Sequence, residues 1–354
     1  MQDAARTACV SRELSHSWRY YPELEFSAKT LALCEQHTSI QGQMATDILK
    51  RIDDAMQNRA GVWVKRLKFE LLFLRKVPSR CVNNWLDAAA PGIEELTLKL
   101  PRDDKTKYKF PCELFSDENG CSVQSLCLSI CAFHPVQGSC SFGNLKRVNF
   151  SWVRITTEES LLFFSNSLAL EHLELWFCHE IACLRIPCKL QLLNFLQVGR
   201  CSMLQAIESD APNPSTFHYE GPLIQFSCGD AVQLKDINIS IYPWFNLFYY
   251  AHKELPTIAP NLETLFLMSA DEIGDFYPLI IFQHEKFLHL KYLELAIVGP
   301  RTEIGFHFQY YCLVAFLNSS PVLETFILHV RHISLHKMAC VFFHPFNHFP
   351  CHFL

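Results

Sequence analysis

A short apolar pattern that recurs along most of the chain limits what this sequence can fold into. Its form is apolar-x-x-apolar-x-apolar, and the clearest copies begin at Val123, Leu170 and Leu193. Eleven copies occur between residues 64 and 328, starting at residues 64, 93, 123, 145, 170, 193, 214, 234, 262, 290 and 323. One copy would carry little weight, because any half-buried strand alternates apolar and polar residues. A series of this length indicates a repeat protein.

The spacing is the signature of leucine-rich repeats, in which each repeat supplies one short strand and one return segment. A single repeat cannot bury its own apolar side chains, so stacked neighbours bury them in a continuous core. Strands that alternate with helices or irregular crossings place the chain in the α/β class. The sequence therefore predicts an arc-shaped leucine-rich-repeat solenoid with a parallel inner sheet, whose strands are centred on residues such as Leu67, Leu173 and Phe326. Helical or irregular return segments join these strands.

Several return segments carry helix signals. Thr156 and Glu159 have the spacing of a capping box at the start of a helix. Ser79 opens a second segment with apolar residues at helical spacing, and residues 308–317 form a third. The stripe of apolar residues within 47–56 predicts a helix that packs on the first repeat.

Three copies of the pattern are followed by a cysteine at a fixed offset, namely Cys131, Cys178 and Cys201. The turn after a strand has backbone groups that need partners, and a small side chain able to form hydrogen bonds suits that place. These cysteines are therefore predicted to be buried structural thiols. The chain has 16 cysteines, and its N-terminus shows no signal peptide, which together indicate reduced thiols in the cytoplasm or nucleus.

Side chains between the buried positions of each strand point out of the sheet on its concave side. These outward positions are charged near the first repeats, polar in the middle and apolar towards the last repeats. The candidates for contact with a partner, with Trp176 foremost, are Arg147, His172, Glu174, Trp176, Phe266, Met268 and Tyr292. The alternative, that the irregular register or a C-terminal region covers the apolar members, stays open at this point.

The sequence shows no feature of an enzyme or of a cofactor site. It lacks the G-x-S-x-G, P-loop, G-x-G-x-x-G and H-E-x-x-H motifs. The histidines at 344, 348 and 352 have helical spacing, but Pro345 and Pro350 would break that helix, so no metal site is predicted. The cysteines at 178, 183 and 188 are not predicted to bind zinc, because the repeat accounts for the first. A net charge of −5 argues against nucleic-acid binding, and no apolar stretch is long enough to span a membrane.

The N-terminal segment points to a more specific family. Residues 3–19 have helical periodicity, with Val10, Leu14 and Trp18 near one face, and lead into Pro22-Glu23-Leu24-Glu25-Phe26. This stretch resembles the final part of a plant F-box, and the chain as a whole resembles a plant F-box/leucine-rich-repeat protein of the group with a C-terminal FBD-type region. The resemblance implies the substrate-recognition subunit of an SCF-type (cullin) ubiquitin ligase. Val10, Leu14 and Trp18 are then the candidate contacts with a Skp-type adaptor.

The chain departs from that family at both ends. The beginning of an F-box is absent, because the sequence starts at Met1 already inside the motif. Weak adaptor binding is therefore expected, and a protein-interaction scaffold without adaptor binding is the alternative function. Residues 331–354 follow no repeat pattern. The predicted division is a C-terminal F-box remnant at 1–26, a helical linker or N-terminal cap at 27–61, the repeat domain at 62–330, and a disordered, atypical tail at 331–354.

Overall fold

The computed structural model of the chain describes residues 21–33, 40–57, 63–102, 108–115, 122–135, 142–229, 233–241, 247–270, 286–299 and 306–332. These residues form two compact units. The first comprises the described residues up to 214 together with 224–229, and the second comprises the remainder.

Strands dominate the described part of the chain. They are β1 (Glu23–Phe26), β2 (Arg66–Glu70), β3 (Glu95–Lys99), β4 (Tyr108–Lys109), β5 (Ser125–Ser129), β6 (Cys131–Ala132), β7 (Arg147–Ser151), β8 (His172–Trp176), β9 (Cys183–Ile186), β10 (Phe195–Gly199), β11 (Ala206–Ser209), β12 (Thr216–Gly221), β13 (Gln225–Cys228), β14 (Asp236–Ile241), β15 (Thr264–Ala270), β16 (Tyr292–Gly299) and β17 (Thr325–His332).

Each unit has one main parallel sheet whose strands follow the repeats. In the first unit the order is β1-β2-β3-β5-β7-β8-β10, and in the second it is β12-β14-β15-β16-β17. Strands β4 and β6 pair in the first unit, and so do the strands of a separate three-stranded sheet with the order β13-β11-β9. The parallel leucine-rich-repeat architecture predicted from the sequence is confirmed.

The register of the first main sheet aligns the second apolar position of each repeat. Leu67, Leu96, Leu126, Val148, Leu173 and Leu196 are successive partners across β2, β3, β5, β7, β8 and β10. All six are buried. Because side chains alternate between the two faces of a strand, the residues beside them lie on the opposite face. We call that opposite face of each main sheet its open face.

α-Helices occupy five of the return segments in the described residues, and a short 3-10 helix spans Cys112–Phe115. The α-helices are α1 (Gln43–Gln57), α2 (Ser79–Ala89), α3 (Thr157–Ser165), α4 (Leu247–Ile258) and α5 (Phe306–Ser319). Helix α3 begins with the predicted capping box, in which the Thr156 hydroxyl accepts from the Glu159 backbone and the Glu159 carboxylate accepts from the Thr156 backbone. Helix α1 buries Ile48, Ile52 and Met56, as its apolar stripe predicts.

The sheet begins earlier than the repeat pattern was traced. Strand β1 pairs in parallel with β2, and Leu24 and Phe26 are both buried. Tyr21, Leu24 and Phe26 have the repeat spacing, although the sequence argument assigned them to the exit of an F-box. The parallel sheet of the first unit therefore has one strand, β1, more than the sequence predicted.

A cluster of phenylalanine rings, including Phe150 of β7 and Phe163 of α3, lies in the core of the first unit. Phe133 lies 4.9 Å from Phe163 and 5.1 Å from Phe150, measured between ring centroids. Phe142 lies 5.3 Å from Phe163 and approaches it edge-on. Edge-on and offset aromatic pairs add to the stabilisation given by burial alone.

The last strand of the second unit exposes part of its apolar row. Leu293 and Leu295 on β16 are fully buried, whereas their partners Phe326 and Leu328 on β17 are 36% and 39% exposed. The difference follows from position, because β17 has a neighbouring strand on only one side among the described residues.

The three repeat cysteines are buried, as predicted. Cys178 and Cys201 follow β8 and β10 at the same offset, and Cys131 begins β6 just after β5. The Cys201 thiol donates to the Gly199 carbonyl at 3.4 Å. Burial raises the pKa of Cys131 to about 12, and a hydrogen bond with Cys201 together with burial raises the pKa of Cys178.

We expect these three thiols to resist alkylation in the native protein. The thiolate is the reactive form, and burial removes access to all three thiols. The raised pKa values of Cys131 and Cys178 also disfavour ionisation of those two, whereas the hydrogen bond with Cys178 lowers the pKa of Cys201, whose protection therefore comes from burial. Iodoacetamide labelling followed by peptide mass mapping checks this, with exposed Cys188 as the internal control. Cys188 should label quickly, and the other three only after denaturation. Native labelling of Cys131 and Cys178 at the rate of Cys188 would contradict the structural role.

Candidate functional site

The open face of the first main sheet begins with a ladder of ion pairs across β1, β2 and β3. Arg66 lies 3.1 Å from both Glu23 and Glu95. Lys68 lies 3.2 Å from Glu25 and 3.2 Å from Glu70. Each exposed pair contributes at most about 1 kcal/mol to stability. Their main effect is that the charges on this part of the face compensate one another.

Glu70 is the most enclosed acid of this ladder. Lys99 lies 2.9 Å from it, at the end of the neighbouring strand. Burial alone would raise the pKa of Glu70, but the hydrogen bonds and charges of Lys99 and Lys68 outweigh burial and lower it. Glu70 is therefore ionised at neutral pH and is already engaged by two lysines.

The middle of the open face, on β7 and β8, is polar and fixed by hydrogen bonds. His172 Nε2 lies 2.6 Å from Glu174 Oε1, and the Asn149 amide donates to Glu174 Oε2 at 2.5 Å. The His172 ring stacks on Phe195 of β10 with a centroid distance of 4.0 Å. Arg147 is the register partner of His172 on β7 and is exposed. Both oxygens of Glu174 are thus engaged, which holds the side chain in one orientation.

Trp176 lies at the end of β8 with its ring over Gly199, its register partner on β10. A Cβ atom built on Gly199 would meet ring atoms of Trp176 at 2.3 to 2.8 Å. No real Cβ approaches other atoms so closely, so this glycine is required by the tryptophan and not by its own backbone conformation. Trp176 is half-buried and presents one side of its ring on the open face.

The structure therefore brings four of the predicted contact residues together on two adjacent strands, Arg147 on β7 and His172, Glu174 and Trp176 on β8. Sequence reasoning missed Phe195 and Gly199, which support the histidine and the tryptophan. The alternation of side chains along one strand identifies which residues face outward. Which residues of two neighbouring strands come into contact depends on the register between the repeats, which the sequence of one repeat does not give.

The remaining predicted contacts, Phe266, Met268 and Tyr292, lie on β15 and β16 of the second unit and are each partly exposed. A carboxylate that the sequence argument did not name lies among them. The Tyr292 hydroxyl donates to Glu294 Oε2 at 2.6 Å, and His329 Nε2 lies 3.0 Å from Glu294 Oε1. The hydrogen bond to Glu294, with a smaller contribution from burial, raises the pKa of Tyr292 to about 12.

Other predicted sites fall beyond what the structure describes. Val10, Leu14 and Trp18 lie outside the described residues, and so do the histidines at 344, 348 and 352. Within the described ranges, no group of three or more His, Cys, Asp or Glu side chains is placed to hold a metal ion. The helices of these ranges include none long and apolar enough to cross a membrane.

Comparison with known proteins agrees with the repeat architecture. Residues 55–348 match the family described as At1g61320/AtMIF1, LRR domain. This range contains the open-face residues of the second unit and, in the first unit, those of β2 to β10, whereas β1 precedes it. No curated protein and no solved structure matches the chain significantly.

Proposed function

The chain belongs to the At1g61320/AtMIF1 leucine-rich-repeat family, and from this premise we propose that it is the substrate-recognition subunit of an SCF-type (cullin) ubiquitin ligase. In this role the repeats bind a target protein and the N-terminal segment contacts a Skp-type adaptor. The role is one of binding, and no catalytic step is assigned to the chain. The adaptor part of the proposal rests on the resemblance of residues 3–26 to the end of an F-box.

The observation that carries the target-binding role is the fixed arrangement on β7, β8 and β10. His172 and Asn149 hold Glu174 from two sides, and Gly199 seats the ring of Trp176. A rigid polar cluster beside a large aromatic side chain is the composition of the centre of a protein interface. Because these side chains are ordered before a partner arrives, binding costs little side-chain entropy.

A scaffold that binds proteins without joining a ligase is the second candidate. The residues of both open faces come from the repeats, whereas the adaptor contacts that the resemblance implies, Val10, Leu14 and Trp18, lie outside the described residues. Target binding and adaptor binding are therefore separable properties of the chain, and one experiment distinguishes the two functions.

Co-purification with a Skp-type adaptor is that experiment. The chain, and a version extended upstream by a complete F-box, are each co-expressed with the adaptor. The ligase role predicts that the extended version retains the adaptor and that replacing Leu14 by glutamate in it abolishes retention. Trp176→Ala serves as the matched control and should leave adaptor retention unchanged, because Trp176 lies on the open face. If neither version retains the adaptor, the ligase role is wrong and the scaffold remains.

A further inference from the structure

Arg147 differs from the other charged residues on the open face of the first main sheet. Its side chain is exposed, and among the residues that the structure describes it forms no ion pair, hydrogen bond or ring contact. The charged residues of this face that do have printed partners are Glu23, Glu25, Arg66, Lys68, Glu70, Glu95, Lys99 and Glu174. One cation of the described open face is therefore left uncompensated.

The carboxylates nearest to Arg147 in the register are engaged elsewhere. Glu95, two strands away in the same row, lies 3.1 Å from Arg66. Glu174 lies diagonally opposite on β8, and its Oε1 atom is 2.6 Å from His172 Nε2. The guanidinium of Arg147 thus keeps its N–H groups for a carboxylate that a partner supplies.

Small side chains line the open face between β3 and β8. They are Ser125, Cys127 and Ser129 of β5 and Ser151 of β7, and we call them the serine trough. Longer side chains lie on both sides, since Lys99 of β3 is the register partner of Ser129 and Trp176 of β8 is the register partner of Ser151. Three strand spacings separate β3 from β8, or about 14 Å, which is wide enough for one extended segment.

The Ser129 hydroxyl is an unpaired polar group within the trough. Ser129 is only 9% exposed, and its side chain forms no hydrogen bond with the described residues. Alternation along β5 places this side chain on the open face, between Lys99 and Ser151 in the register. Buried polar groups in proteins are nearly always hydrogen-bonded. The Ser129 hydroxyl is therefore placed to bond with the backbone of a segment that lies in the trough.

Arg147 and Trp176 lie at opposite ends of the trough. Ser151 is the fourth residue after Arg147 on β7 and is the register partner of Trp176. At about 3.3 Å per residue, the two contact positions are about 13 Å apart along the strands. An extended segment covers this distance in four residues and presents its first and fifth side chains on one face. A helix would need about eight residues for the same distance.

We propose that the serine trough binds an extended segment of the target protein in which a carboxylate and a large apolar side chain are four residues apart. The carboxylate binds Arg147, the apolar side chain packs on Trp176, and the backbone beside it bonds to Ser129. One uncompensated cation matches the single charge of Asp or Glu better than the two charges of a phosphorylated residue. The inference rests on the proposed function, because it specifies the target that the Trp176 cluster recognises.

Peptide selection on the full chain tests the spacing. The displayed library contains random peptides of about 12 residues, which are longer than the trough. The proposal expects enrichment of Asp or Glu four residues from an aromatic residue or leucine. Moving the acid by one residue turns it to the other face of an extended segment, which should lower the affinity at least about tenfold. Equal affinity of the shifted peptides, enrichment of no such class, or a spacing of about eight residues would overturn the proposal.

Arg147→Glu tests the charge. The melting temperature should not change, because the native side chain is exposed and has no partner among the described residues. Affinity for the acidic peptides should fall at least about tenfold, and replacing their acid by lysine should restore it. Arg147→Gln should lose the acidic peptides without gaining the basic ones, which keeps the test valid if the glutamate variant is less stable.

Lys146→Glu is the matched control for this charge reversal. Lys146 is exposed and adjacent to Arg147, but it precedes β7 and is one position out of phase with the open-face row. Its replacement should change the affinity by less than about twofold, because solvent screens charges outside the contact. An equal loss in both variants would show that the general charge of this region, and not Arg147, selects acidic peptides.

The remaining outcomes separate this inference from the proposed function. Peptides that need Trp176 but not Arg147 would overturn the acidic specificity and leave target binding intact. Peptides that bind equally well to Trp176→Ala would contradict the target-binding role itself. A phosphoserine in place of the acid that raises the affinity at least about tenfold would assign the site to a phosphorylated target and overturn the carboxylate. None of these outcomes depends on adaptor co-purification.

Discussion

Replacing Phe163 by alanine is expected to lower the free energy of unfolding of the first unit by about 3–5 kcal/mol. Phe163 is 2% exposed and lies on α3. Its ring centroid is 4.9 Å from that of Phe133, 5.3 Å from Phe142, 5.8 Å from Phe150 and 5.6 Å from Phe164. Removing one ring from the centre of four others leaves a cavity that the neighbours fill only in part, because Phe150 is held on β7, Phe164 is on α3 itself and Phe133 directly follows β6.

Urea unfolding of the full chain, followed by tryptophan fluorescence, measures this effect. Leu168→Ala is the matched control, since Leu168 is 51% exposed and close to Phe163 in sequence. Its expected change is within about 0.5 kcal/mol. A loss below about 1 kcal/mol for Phe163→Ala would show that the cluster collapses around the vacancy, and that the packing of α3 against the sheet is less rigid than the structure indicates.

The main sheets were predictable because the repeat supplies the same signal many times. Leu173 alone is compatible with many folds, but a leucine or similar residue at the equivalent position of each repeat requires strands that stack in register. The repeat pattern likewise predicts Cys178 in the core. It also places Trp176 outside the core, since the two residues are separated by one position that begins the turn.

The separate sheet of β9, β11 and β13 was not predicted, and its strands explain why. Each has four residues, and few of their apolar side chains are buried: Leu184 and Ile186 on β9, and Ile207 on β11. A segment of this length has no periodicity that distinguishes it from a loop. Whether such a segment pairs with its equivalent in the next repeat depends on the length of the turn that precedes it in each repeat. The pairing is therefore a property of several stacked repeats and not of one segment.

For the candidate site, the sequence predicted which residues lie on the open face but not which of them contact one another. The alternation along β8 identified His172 and Glu174 as outward residues, but Phe195 became the stacking partner of His172 only through the register of β10. The stacked rings of Trp152 and Phe177 gave no local signal. Both residues have a left-handed backbone, which their residue types disfavour, so reasoning from propensity predicts a different residue at each position.

The contact between Trp176 and Gly199 predicts that the effect of Gly199→Ala on the free energy of unfolding depends on whether Trp176 is present. In the native chain, Gly199→Ala should destabilise the first unit by about 1–3 kcal/mol, because the new methyl group overlaps the tryptophan ring. Either β8 and β10 move apart, or the Trp176 ring leaves its position on the open face. Displacement of the ring would also lower the affinity for any partner that binds there.

In a Trp176→Ala background the same substitution should be neutral or stabilising, by up to about 1 kcal/mol. The obstruction is then gone, and alanine loses less backbone entropy than glycine on entering a strand. Unfolding of the four proteins in the cycle gives the coupling energy directly, which we expect to be about 2 kcal/mol. Additive effects of the two substitutions would mean that Trp176 does not lie over Gly199 in solution. Gly199 would then need an explanation of its own, and the seating of Trp176 would no longer support the target-binding role.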